Sequence, residues 1–119
     1  MKAFHFKDQM LSAKEEHGVV VPAGISTKAE LLAFLAQAIP LPAYFGHNWD
    51  ALEECLTDLD WLDRPHLALN HQDIPLEGHP AEQRTYLEIL AAAAQKSSRL
   101  QVTFSEKDGP QIQRILSPN

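Results

Sequence analysis

Between positions 48 and 58 the chain gathers Asn48, Asp50, Glu53, Glu54, Thr57 and Asp58. Carboxylates this close together can do general acid–base chemistry, form a surface that binds something cationic, or simply solvate an acidic face. Acid–base work needs a concave, partly dry site that shifts the acids' proton affinity. Adjacent positions on an exposed helix do not provide one, so recognition of positive charge is the stronger chemical reading. The six histidines (His5, His17, His47, His66, His71 and His79) fall in no H-E-x-x-H or Cys/His array. His66 and His71 lie five apart across the end of an expected strand, which is poor ligand geometry. Neither a metal nor a cofactor is therefore expected, and there is no phosphate-binding glycine loop and no G-x-S-x-G.

The acids need an element to hold them. Asn48 suits a helix N-cap, where its side-chain oxygen accepts from an otherwise unpaired backbone N–H. Asp50, Glu53, Glu54 and Thr57 then follow at i, i+3, i+4 and i+7 on one helix face. Leu52, Cys55, Leu56 and Leu59 repeat the spacing on another face, the one to be buried. Trp49, three residues before Leu52, is expected at the core edge. The charge around this helix is one-sided: from Ala29 to Asp63 there are seven acids and no Lys or Arg. Like-charged pairs such as Asp50–Glu54 and Glu54–Asp58 each cost roughly 0.2–0.5 kcal/mol, and the helix dipole offsets this only for Asp50 near its positive end. A helix shaped for stability alone would mix the signs.

The segment LPAYFGHNWDALEECLTDL, Leu41 to Leu59, resembles the signature of the barstar family, intracellular inhibitors of barnase-type ribonucleases. The likeness rests on Leu41, Pro42, Tyr44, Gly46, Asn48, Asp50, Ala51, Leu52, Cys55, Leu56 and Thr57. The order of elements from about Val19 to Phe104 also fits. The resemblance implies that the loop and helix plug the basic active site of a ribonuclease, with carboxylates in the places of RNA phosphates. By matched position it implies a contact surface that includes Tyr44, Gly46, Asn48, Asp50 and Thr57, and His47, Glu53 and Glu54 of the same loop and helix complete the expected partner-binding set. Tyr44 would give a flat amphipathic area, and Gly46 a turn or a close approach of backbones. His47, as an imidazole in the docking loop, is a candidate for making binding depend on pH. Two departures matter. Position 54, usually Asp in the family, is Glu, and position 53, often Trp, is also Glu. The alternative is a non-catalytic interaction module of the same fold that binds a different basic protein.

Composition sets the frame. With 119 residues, 45% hydrophobic and 22% charged, the chain is expected to be one domain with an ordinary core. A formal net charge of −6 argues against direct binding of nucleic acid and for a basic protein partner. The single cysteine, Cys55, lies on the apolar face and reads as a buried structural thiol. The start MKAFHFKDQ has no apolar run behind it, and no stretch approaches the ~20 apolar residues of a membrane span, so the cytoplasm is the expected compartment.

The remaining chain alternates. Val19–Val21 reads as a buried strand ended by Pro22, and Thr27–Glu30 is a capping-box pattern opening a helix that runs to about Pro40. His66–Asn70 reads as a second core strand, and Pro80 starts a helix to about Lys96. Leu100–Phe104 is the last core strand, and Gly109-Pro110 opens a short C-terminal helix. Such alternation implies crossover connections. The expected fold is α/β: a small three-stranded parallel sheet with helices packed on it. Ala3–Phe6 is expected as an added antiparallel edge strand, and Lys7–His17 as polar, with a turn of helix.

Overall fold

The computed structural model describes residues 3–7, 18–43 and 45–117. In chain order it runs β1 (Phe4–Lys7), β2 (Gly18–Val21), α1 (Lys28–Ala38), α2 (Trp49–Thr57), β3 (Leu67–His71), α3 (Pro80–Lys96), β4 (Leu100–Ser105), a 3-10 turn (Glu106–Asp108) and α4 (Gly109–Leu116). The strands form one sheet in the order β1-β4-β3-β2, and every neighbouring pair is parallel. The expected α/β fold with a parallel sheet is thus present, with four strands in place of three.

The N-terminal edge strand is real, but it runs parallel to β4, not antiparallel, with Phe4 opposite Val102 and Phe6 opposite Phe104. A strand joined by a hairpin would sit beside its sequence neighbour. Here β1 and β2 lie on opposite edges of the sheet, and a long connection between strands permits parallel pairing. The turn of helix expected within Lys7–His17 falls on residues 8–17, which lie outside the described residues.

Local signals place the helices. Thr27 and Glu30 form a reciprocal capping box at the start of α1. The backbone N–H groups of Ser26 and Thr27 donate to Glu30 and hold its carboxyl below the usual range. Pro80 occupies the first turn of α3, where its missing N–H costs nothing. Leu31, Leu32 and Leu35 of α1, Leu52, Cys55 and Leu56 of α2, Tyr86, Leu87 and Leu90 of α3, and Ile112 of α4 join the strands' Leu69, Val102 and Phe104 in one core. No helix among the described residues is long and apolar enough to cross a membrane.

The strand expected at His66–Asn70 sits one residue later, at Leu67–His71, and this brings His71 into the core. His71 is fully buried and stacks on Phe104 with ring centroids 4.1 Å apart. Nδ1 lies 3.2 Å from the Thr103 carbonyl, which can only accept, so Nδ1 carries the hydrogen. Nε2 is then the acceptor for the Tyr86 hydroxyl at 2.7 Å. Burial drives the His71 imidazole down to about 4 and the Tyr86 hydroxyl well above its ordinary value. An unfolded histidine binds its proton below about 6.5. Between those values the unfolded chain holds the extra proton, so stability rises with pH across the window. Unfolding free energy measured by denaturant at fixed pH should therefore fall by roughly 3 kcal/mol from pH 7 to pH 4 through this one residue. In His71→Gln that component of the slope should vanish.

An acidic loop–helix held out from the core

The loop before α2 is pinned from below by Phe45, which is 7% exposed and whose N–H donates to the Pro42 carbonyl at 2.9 Å. His47 follows with a left-handed φ of 55°, its ring tilted against Phe45 at 5.0 Å between centroids. That conformation turns the chain from the buried Phe45 to the exposed helix start. Asn48 then caps α2 as its side chain suggested: Oδ1 accepts from the Ala51 N–H at 2.8 Å, while Nδ2 donates to the Gly46 carbonyl at 3.4 Å. A Cβ at position 46 would stand 3.1 Å from Asn48 Nδ2, so glycine leaves room for the cap.

Along α2 the two faces separate as their spacing required. Leu52, Cys55 and Leu56 are fully buried. Asp50, Glu54 and Asp58 are exposed, and Glu53 and Thr57 are half-buried. Asp50, Glu53, Glu54, Thr57 and Asp58 line one open depression together with Lys96, at the end of α3. None of these four α2 and cap acids enters an ion pair among the described residues. The far end of α2 is tied down as well. The Trp61 indole donates to the Cys55 carbonyl at 3.0 Å. The Arg99 guanidinium donates to the carbonyls of Leu59 and Leu62 at 2.9 Å, to Pro65 at 3.2 Å, and to Arg64. One side chain from the turn just before β4 thereby caps four carbonyls of the segment that leaves the helix.

Of the expected contact residues, Gly46, His47, Asn48, Asp50, Glu53, Glu54 and Thr57 lie on this one loop–helix, and Tyr44 lies outside the described residues. Sequence reasoning missed Phe45, Lys96 and Arg99. Phe45 carried a signal, an apolar residue inside a polar loop. The other two are distant in sequence and meet α2 only through the fold. Trp49 is half-buried as expected at the core edge. Its ring lies 6.2 Å from that of Tyr86 and carries the Lys28 ammonium 5.2 Å from its centre.

A family model described as barstar (barnase inhibitor) matches residues 19–107. The chain belongs to the barstar family. The match begins within β2 and ends within the 3-10 turn, so the loop before α2, α2 itself and the strands β3 and β4 all fall inside it. The β1 strand and α4 lie beyond it. No curated protein matched the chain.

The cap and the strained turn give two local expectations. Asn48→Ala should cost about 1 kcal/mol of stability, read as a lowered denaturation midpoint. His47→Gly should be tolerated, whereas His47→Val, β-branched at a positive φ, should cost about 1–2 kcal/mol. Thermal melts of the two side by side check the backbone requirement.

Proposed function

We propose that this barstar-family chain inhibits a barnase-type ribonuclease by setting the 44–57 loop–helix into the enzyme's basic RNA-binding site. The observation that carries the reading is the unneutralised acidic face of α2. Four carboxylates stand together over a buried leucine face, and no ion pair among the described residues offsets them. Their mutual repulsion costs some stability, and a positive surface would relieve it. Such a surface is what a ribonuclease presents to RNA phosphates. Carboxylates in those positions would take charge-assisted hydrogen bonds from Arg, Lys and His. Complementary fields would also speed the encounter and make it sensitive to salt.

On this reading Glu54 is the central contact, Asp50 and Tyr44 are the next to be expected, and Gly46, His47, Asn48, Glu53 and Thr57 complete the proposed set. With Glu at 54, the carboxylate reaches one methylene further than an aspartate would. The cytoplasm is the natural compartment for a protein that guards a cell against its own or a neighbour's ribonuclease. Glu53, which puts a charge where the family often has an aromatic ring, favours a second reading. On that reading the same face binds a basic protein that is not a ribonuclease.

Titrating a panel of small barnase-type ribonucleases with this protein, at low and moderate salt, tests the first reading. Stoichiometric loss of RNA cleavage that weakens with salt is expected. Glu54→Ala should weaken the complex by at least ~2 kcal/mol, a scale known from the barnase–barstar pair itself. Inhibition that survives Glu54→Ala with a loss below ~0.5 kcal/mol would move the central contact elsewhere on the face. No inhibition across the panel would leave the second reading.

A further inference from the structure

Beneath the docking helix the rings form a continuous series. Lys28 of α1 lies over Trp49, the first residue of α2, and Trp49 lies against Tyr86 of α3. Tyr86 meets His71 of β3 edge-on at 5.7 Å, and His71 stacks on Phe104 of β4. Tyr86, His71 and Phe104 are fully buried, and Trp49 is the half-buried ring where the series reaches the surface. The residue that opens the acidic helix therefore lies against Tyr86, whose hydroxyl is hydrogen-bonded to the buried His71.

We propose that His71 and Tyr86 are positioning residues for the docking helix, and that uptake of a proton at His71 Nε2 unseats Trp49 and releases the partner. The partner half of this inference rests on the inhibitor reading; the structural half does not.

The hydrogen-bond geometry sets the direction. In the neutral state Nδ1–H donates to the Thr103 carbonyl and Nε2 accepts from the Tyr86 hydroxyl. A proton taken from solvent onto Nε2 makes both ring nitrogens donors. Nε2–H can then donate to the Tyr86 oxygen, but the hydroxyl hydrogen loses the acceptor it had. A cation and an orphaned donor would then share a site closed to water, and both are costly. Turning the Tyr86 ring outward relieves them, and the Trp49 ring rests on that ring.

Among the described residues the surrounding elements bring no opposite charge into contact with the ring to hold the imidazolium in place. Tyr86 is the titratable group that α3 brings into contact, β4 brings the Thr103 carbonyl and the Phe104 ring, and β3 contributes its own Leu69 carbonyl. The β2 strand ends beside it at Val21. Asp73, two residues on, accepts from the Gly24 N–H. Charge enters one ring further out: Lys28 over Trp49, and Asp50, Glu53 and Glu88 on the groove that Trp49 lines.

The test follows the Trp49 indole, the amides of residues 45–50 and the His71 ring by nuclear magnetic resonance as pH is lowered from 7.5 to 4. Wild type is compared with His71→Gln, whose side-chain carbonyl can still accept from Tyr86 but takes up no proton. The expected result is a shared midpoint for the His71 ring and the Trp49 signals in wild type, absent in His71→Gln. Tyr86→Phe, which keeps the ring and removes the hydroxyl, should uncouple the two and serves if His71→Gln does not fold. Three results would overturn the proposal: Trp49 signals that stay put while His71 titrates, signals that move equally in the variants, or global unfolding that precedes any local shift. Against an inhibited ribonuclease, wild type should lose about twofold more affinity than His71→Gln between pH 6 and pH 4, where about half of the His71 rings carry the proton, with the surface carboxylates common to both. If no ribonuclease is inhibited, the inhibitor reading fails, and the resonance arm still decides the relay.

Discussion

Burial of the Leu52, Cys55 and Leu56 face fixes everything that α2 can do. Those three side chains are fully enclosed against α3 and the sheet, and at about 0.8 kcal/mol per buried methylene no rotation of the helix could recover what exposing them would lose. The acids one face round are thereby forced outward. Asn48 and Phe45 hold the near end, and Arg99 and the Trp61 indole hold the far end. A helix fixed in this way presents its charges together, and little freedom is left to lose if a partner binds them.

Stability and recognition pull against each other on this helix. The like-charged pairs along α2 and the left-handed φ at His47 are each unfavourable in the free protein. They are tolerated because the core beneath is closed and continuous across all four helices. The same division appears in the core itself. A histidine and a tyrosine occupy space that apolar side chains could fill, and they hold it only while each finds its hydrogen-bond partner.

Much of this was legible in the chain. The i, i+3, i+4, i+7 recurrence separated the leucine face from the acidic one. Asn48, Thr27–Glu30 and Pro80 marked helix starts by local chemistry, and the Leu41–Leu59 segment pointed to the family. What failed did so for one reason. The direction of β1 was misjudged because strand pairing is decided across distance, not by neighbours in sequence. The β1 strand takes its place on the far side of β4, with Phe4 and Phe6 beside Val102 and Phe104. The one-residue shift of β3 has the same origin, since partner strands set where a ladder ends.

The sequence by itself determined the local elements and the composition of their faces, because periodicity, caps and breakers act within a turn or two of the helix. The acidic character of the Asn48–Asp58 segment was likewise set there. Only the tertiary structure decided the rest: that Lys96 borders the acidic face, that Arg99 closes the loop after α2, and that Lys28, Trp49, Tyr86, His71 and Phe104 make one series of rings. Those residues come from five different elements. Packing helices against a parallel sheet is what brings them within reach of one another.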